Sequence, residues 1–510
     1  MSASREKKSR QDTGTGYTDP KTAREAAARS KQKRADWMYA GIGIVFLAVA
    51  IFVVVYNSGI LQKGPAATVN GETYSSTEVN FYFKNAYNSY ANSQYASYFG
   101  LSATTDLKNT DCPLAEEGTT WYDFLLGEAT KTMGDLAQLN AAAKADGFTV
   151  EDLDAKVQEQ MDAMAQHLKV QSTTVKEYLK RVYGKNMTES LYRELLGEQI
   201  VAQEYQASYT DSLTYTDSDL TAGYNADKKS FDVADYEYLL VSGTAEPTTD
   251  AEGNEVEATD EEQAAAMAAS KTTADGLYAS FQGGKSLSSL EDADKGITYS
   301  KSEAVTYSDS TLMNWVFDDA RKAGDSAVLE VDGTGTYVVS FTARYRQEYN
   351  TVNVRHILVT PAATTLGEDD PAYDDDVAAN KAAAKQTAED ILASWKAGEA
   401  TEDSFAALAN EKSEDGGSNT NGGLYEQVAQ GDMVEPFDAW CFDSARKVGD
   451  TGIVETDYGY HVMYFSGFDL PYWKIQVQNK LKNADVSEWY TAKTEGAEIT
   501  TDGSGMKYVG

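Results

Sequence analysis

Cysteine occurs only twice in 510 residues and histidine only three times, and both scarcities narrow the chemistry open to this chain. Cys112 and Cys441 lie in different segments and leave room for at most one disulfide, between the two of them. Cys441, between Trp440 and Phe442, reads as a small buried hydrophobe. No Cys-x-x-Cys, His-Glu-x-x-His or nucleophile-elbow motif occurs, which removes the usual signatures of a zinc site and of a serine hydrolase. Basic charge is also scarce: 44 Lys and Arg stand against 80 Asp and Glu, a net charge of −36. Such a surface repels nucleic-acid phosphates and favours solubility. Long apolar runs are missing except for one.

That run is Met38 to Tyr56, inside a stretch from Asp36 to Lys63 without an intervening charge. It has about the 20 residues that a membrane-spanning helix needs. Residues 1–37 hold ten Lys and Arg against five Asp and Glu, leaving 34 against 75 for the rest. Basic residues collect on the cytoplasmic side of a span. The expected layout is a cytoplasmic basic tail (1–37), one transmembrane helix (38–60) and a large acidic extracytoplasmic part at the cell membrane. The run is longer than a usual signal-peptide core and no small-x-small cleavage site follows it. No cysteine follows it before Cys112, so a lipid-modified N-terminus is not available.

From Ser75 to about residue 228 apolar residues recur at three- and four-residue intervals, predicting helices over 121–145, 150–167, 174–183 and 189–209. Tyr82, Tyr87, Tyr90, Tyr95 and Tyr98 stud the start of this block. They either pack helices together or expose an aromatic surface. A further amphipathic helix is predicted over 472–493, followed by a C-terminal tail (496–510).

The two remaining histidines are the strongest signal. His356 lies in Val-Arg-His-Ile-Leu-Val (354–359) and His461 in Tyr-Gly-Tyr-His-Val (458–462), each in a β-branched apolar run that predicts a buried strand. A lone histidine on an apolar strand is ordinarily a satisfied core residue. Here two of them bracket Phe405 to Leu408, Ser413-Glu414-Asp415, Gly422-Gly423-Leu424, Met433, Pro436-Phe437 and Gly449-Asp450. Over about 115 residues this order resembles the parvulin-type peptidyl-prolyl cis-trans isomerases. The Val69-Asn70-Gly71 start, followed by a helix opening at Ser75 or Ser76, is similar to the chaperone domains of PrsA- and SurA-like foldases.

The resemblance implies an α+β multidomain chain: a helical SurA-like chaperone domain (65–228, completed by 470–495) and a parvulin domain (350–468) with an antiparallel sheet and helices. The chain also repeats itself. Tyr236 to Val241 matches Val354 to Val359, Trp315 to Asp325 matches Trp440 to Asp450, and Gly335 to Val339 matches Gly459 to Met463. Two tandem parvulin-like domains are therefore expected, the first over 231–346. Tyr238 and Tyr337 stand there in place of the histidines and no clear Gly-Gly-Leu turn occurs, so the first copy is expected to be non-catalytic. Its segment 244–262 reads as a solvated acidic loop.

By the same resemblance His356, Asp415 and His461 form the catalytic group, and Leu424, Met433, Phe437 and Tyr458 bind the substrate. No metal or cofactor is expected; two histidines and one Asp could supply three zinc ligands, but without the usual spacing. The implied partners are unfolded exported polypeptides with X-Pro bonds. The acidic loop over 360–376 would repel a phosphorylated residue. The rival expectations are a non-catalytic holdase and a surface receptor that uses these folds as scaffold.

Overall fold

A computed structural model describes residues 63–249 and 255–510, with Leu47 and Val49 as two helical positions before them. The basic tail and the rest of the expected span over 38–60 lie outside the described residues. Among the described residues no helix is long and apolar enough to cross a membrane. The chain divides into two compact units, one running to Ser212 and resuming at Val486, the other from Leu213 to Asp485.

The first unit opens with a hairpin, β1 (Pro65–Val69) and β2 (Glu72–Ser75), turned at Asn70 and Gly71, whose φ angles of 52° and 85° suit these two residue types. Ser75 caps α1 (Ser76–Ala91) in a capping box with Glu78. Helices α2 (Trp121–Ala145), α3 (Leu153–Val170), α4 (Val175–Tyr183) and α5 (Glu189–Ser212) follow. The third begins later than its periodicity predicts, because Asp152 takes a left-handed φ of 52°. Phe81, Phe83, Trp121, Leu125, Met133 and Leu179 form the core. Tyr82 is buried and Tyr87 and Tyr90 pack against that core, whereas Tyr95 and Tyr98 stay 56% and 85% exposed.

The expected tail is a correction. Residues 499–501 form a strand antiparallel to β1, pairing Val69 with Ile499 and Ala67 with Thr501, and Asn70 and Glu498 exchange two hydrogen bonds of 2.9 Å. Val509 is 2% exposed and Met506 9%. Short apolar residues among glycines carry too little periodicity to mark a strand, yet they satisfy the free edge of β1. The helix Tyr472–Thr494 matches its predicted extent. Its last turns, with Trp489 and Tyr490, pack on Leu139, Ala202 and Tyr205 in the first unit, so the segment returning to the helical block is 486–510, not 470–495.

The second unit begins with α6 (Asp217–Ala226) and continues with β3 (Asp232–Ser242). The acidic insertion holds a small hairpin, β4 (Thr248–Thr249) and β5 (Glu255–Val256), before α7 (Asp260–Gln282). Strands β6 (Ile297–Thr306), β7 (Ser326–Val331) and β8 (Gly335–Arg346) complete an antiparallel sheet of order β6-β3-β8-β7, with α8 (Thr311–Val316) beside it.

A second sheet follows the same plan. It is built from β9 (Asn350–Val359), β10 (Leu424–Val428), β11 (Thr451–Thr456) and β12 (Gly459–Pro471), in the order β10-β9-β12-β11. Helices α9 (Tyr373–Ala397) and α10 (Glu402–Lys412) bury Trp395, Phe405 and Ala409 against Ile357 and Val462 on one face. On the other face α11 (Glu435–Cys441) packs Phe437 and Cys441 against Val354 and Met463. Burial pushes the Cys441 thiol up to about 12, as befits a small core hydrophobe.

The repeat extends to atomic detail. In the first sheet Tyr238 pairs with Val339 and Leu240 with Tyr337; in the second His356 pairs with Met463 and Leu358 with His461. Arg321 lies over Trp315 and between Asp318 and Asp325, and Arg446 lies over Trp440 and between Asp443 and Asp450. Each copy closes with the same reciprocal backbone bonds: Gly324 and Asp325 with Phe341, Gly449 and Asp450 with Phe465, all 2.8–2.9 Å.

Candidate active site

Strand alternation decides what faces the site. His356 and Leu358 on β9 share a face with His461 and Met463 on β12, because directly paired residues project to the same side. The two imidazoles are buried, stacked with centroids 5.1 Å apart, and their Nδ1 atoms are 2.9 Å from each other. Nε2 of His356 lies 3.0 Å from Oδ2 of Asp415. Phe437 stands edge-on to both rings at 5.4–5.5 Å.

The glycine pair holds this arrangement. Gly422 and Gly423 adopt φ of 66° and 68°, and a Cβ on Gly423 would come within 2.2 Å of the His356 carbonyl oxygen. That close approach lets the His356 amide donate to the Gly423 carbonyl at 2.8 Å. Arg355, on the opposite face from His356, donates to Glu402 and to the carbonyls of Asn421 and Gly422, tying the turn down.

Donor and acceptor capacity fixes the proton positions. An ionised Asp415 only accepts, so His356 carries its proton on Nε2 and accepts at Nδ1. His461 then donates from Nδ1 and accepts at Nε2 from the Thr456 hydroxyl, 2.8 Å away; Thr456 in turn accepts the Tyr458 amide at 3.1 Å. At the other end Asp415 Oδ2 also accepts from Ser418 Oγ and, at 3.0 Å, from the Tyr425 hydroxyl, while Oδ1 accepts the Gly417 amide. The result is one directed chain from Thr456 through both imidazoles to Asp415.

The charges follow. Burial lowers the His356 pKa, a pull that Asp415 partly offsets. Burial and the neighbouring His356 take His461 down to about 4. Burial alone would raise Asp415, but the bonds from Ser418 and His356 hold its carboxyl at about 2. At neutral pH the group is two neutral imidazoles and one carboxylate. With both Nδ1 atoms facing each other, no pair of free ring nitrogens is left for a metal. Among the described residues no group of three or more His, Cys, Asp or Glu is placed to hold one.

Above the group lies a cavity of about 310 Å³, lined by His356, Leu358, Asp415, Tyr425, Asp432, Met433, Val434, Phe437, Tyr458 and His461. His356, Asp415, His461, Met433, Phe437 and Tyr458 thus come together. Leu424 does not line it. It pairs with Arg355 and so faces away, whereas Tyr425 pairs with Val354 and takes the inward position. Ser418, Tyr425, Asp432 and Thr456 were missed from sequence. Thr456 could have been found by alternation, since it shares a face with Val454, the residue paired with His461.

Comparisons with known proteins bear on the same region. Residues 337–466 match the sequence profile of the family described as PPIC-type PPIASE domain. Foldase protein PrsA 1 of Listeria innocua is 39% identical over 77 residues, 15% of this chain and 25% of that protein. Foldase protein PrsA 1 of Listeria monocytogenes is 33% identical over 121 residues, 24% of this chain and 32% of that protein. The chain therefore spans about a quarter to a third of the length of these curated relatives. A crystal structure of PrsA from Bacillus subtilis is similar at 16% identity and a TM-score of 0.31, covering 76% of this chain and 93% of its own.

Proposed function

We propose, taking the match of residues 337–466 to the PPIC-type PPIASE domain family as premise, that this chain is a membrane-anchored extracytoplasmic foldase whose domain 350–468 isomerises X-Pro bonds in unfolded exported polypeptides. The observation that carries the reading is the directed chain Thr456–His461–His356–Asp415 beneath an apolar cavity.

The reaction needs no nucleophile. Rotation about an X-Pro bond meets a barrier of roughly 18–20 kcal/mol, and its transition state is a twisted amide that has lost resonance. A site accelerates it by holding the twisted form better than either planar one. Met433, Val434, Phe437 and Leu358 offer an apolar seat for the proline ring. That surround disfavours the charge-separated planar amide. The neutral imidazole pair beneath adds no buried cation, and its fixed hydrogen bonds keep the floor rigid.

The anchoring rests on the apolar run 38–60 and the basic segment before it. The tandem repeat supports a first copy, 231–346, that keeps the sheet with Tyr238 and Tyr337 in place of the histidines and does not catalyse. Their ring centroids lie 5.2 Å apart, nearly as the imidazoles do. Client binding by the helical domain is supported by the exposed rings of Tyr95 and Tyr98, and the same rings favour a holdase role as the second reading.

Proline-limited refolding of a client separates the two. Acceleration that is lost in His356→Ala and Asp415→Ala supports the isomerase. Suppressed aggregation without acceleration, or acceleration untouched by both variants, overturns it.

A further inference from the structure

The charged groups lining the cavity are all of one sign. Asp415 and Asp432 contribute carboxylates, both imidazoles are neutral at physiological pH, and neither Lys nor Arg lines the space. The nearest arginine in sequence, Arg355, points to the other face of the sheet and is taken up by Glu402 and two carbonyls.

The two carboxylates differ in how fully they are used. Asp415 accepts from His356, Ser418, Tyr425 and the Gly417 amide, so its hydrogen-bonding capacity is spent within the protein while its charge remains. Asp432 is exposed; its Oδ2 accepts the Ala429 amide at 2.8 Å, and its Oδ1 takes no hydrogen bond among the described residues. It precedes Met433, one wall of the proposed proline seat, and lines the cavity beside it. Glu435 and Asp457, next to the lining residues Val434 and Tyr458, are exposed and acidic as well.

A low-dielectric cleft lined by one sign of charge focuses its field on whatever enters. A cation beside the proline is drawn in, and an anion meets two uncompensated carboxylates. We propose that Asp432 sets the sequence preference of the site, selecting Lys-Pro and Arg-Pro bonds over neutral ones and rejecting Glu-Pro and phosphorylated residues before proline. This rests on the isomerase reading and names its substrate class. Asp432 is a specificity residue here; the rotation itself is assisted by the seat and floor already described.

The test measures kcat/KM of the full chain for three peptides that differ only in the residue before proline: Lys, Leu and Glu. At low ionic strength the expected order is Lys, Leu, Glu, with about fivefold between neighbours, as one charge step near a carboxylate gives. The spread should shrink in roughly 0.5 M salt, where screening is strong. Asp432→Asn, which keeps an oxygen for the Ala429 amide, should cut the Lys-to-Glu ratio about fivefold, and Asp432→Glu should retain it. Equal rates for the three peptides, or an unchanged ratio in Asp432→Asn, overturns the preference while leaving the isomerase standing. Failure to accelerate any of the three, the Leu peptide included, overturns the isomerase reading and this inference with it.

Discussion

The Nδ1 atoms of His356 and His461 lie 2.9 Å apart with a single proton between them. A second proton there would place two donors face to face. The shared proton fixes one tautomer for each ring, and burial keeps both rings neutral until acid protonates them.

The expected pH response has a definite sign. A histidine whose pKa is lowered on folding contributes stability above its unfolded value, about 6.5, that is lost as pH falls toward its folded value. For His461 that value is about 4. Asp415, held at about 2, adds a loss beginning near its unfolded value of about 3.9. The urea midpoint of the second unit should be level from pH 8 to about 6.5 and decline below it, whereas isomerase activity of the folded chain should hold further down and fall only as pH nears the folded His461 value of about 4. A midpoint that rises on acidification to pH 5 would contradict the neutral pair.

Asp415→Asn should lower kcat/KM by about tenfold to a hundredfold, the worth of a hydrogen bond to a charged group. Ser418→Ala and Tyr425→Phe each remove one donor from the same oxygen and should cost less. Because all three act through one carboxylate, their effects in combination should be less than additive. A double-variant cycle in peptide kinetics reads this directly.

Glu198 carries the opposite pH signature. Burial, then the neighbouring Glu72, Glu194 and Glu78, raises its carboxyl to about 7. A raised acid weakens the fold as pH climbs from its unfolded value, about 4.3, through 7. Glu198→Gln should therefore melt higher than the parent at pH 8, by a margin that shrinks through pH 5 and vanishes near pH 4.

Removing residues 496–510 should unfold or severely weaken the first unit. Burial of Met506 and Val509 alone contributes about 1.5–3 kcal/mol each, against a typical domain stability of about 5–15 kcal/mol. Thermal unfolding of the full and shortened chains, followed through the Trp121 region, measures the loss. A shortened chain that melts unchanged would show that the strand 499–501 is dispensable.

Local pattern carried most of the candidate site into view. His356 and His461 stood out because imidazoles are rare in this chain and each sits in a strand-like run, and Asp415 because of its place in the family order. The error over Leu424 has a simple cause. A side chain's face depends on the pairing partner of its strand, and one residue of register exchanges Leu424 for Tyr425. Ser418 and Thr456 were hidden for a related reason: a hydroxyl in a turn looks solvated until the fold brings an imidazole against it.

By itself the sequence determined the helical block, the internal repeat, the two histidine strands and the loss of both imidazoles in the first copy, all of which follow from periodicity and residue type along a local stretch. Only the tertiary structure decided that residues 496–510 complete the sheet of β1, that Tyr425 displaces Leu424, and that the protons run in one direction from Thr456 to Asp415. Those facts depend on which chemically ordinary groups meet across 5 to more than 400 residues of chain, and contact at that range is set by packing and register, not by local preference.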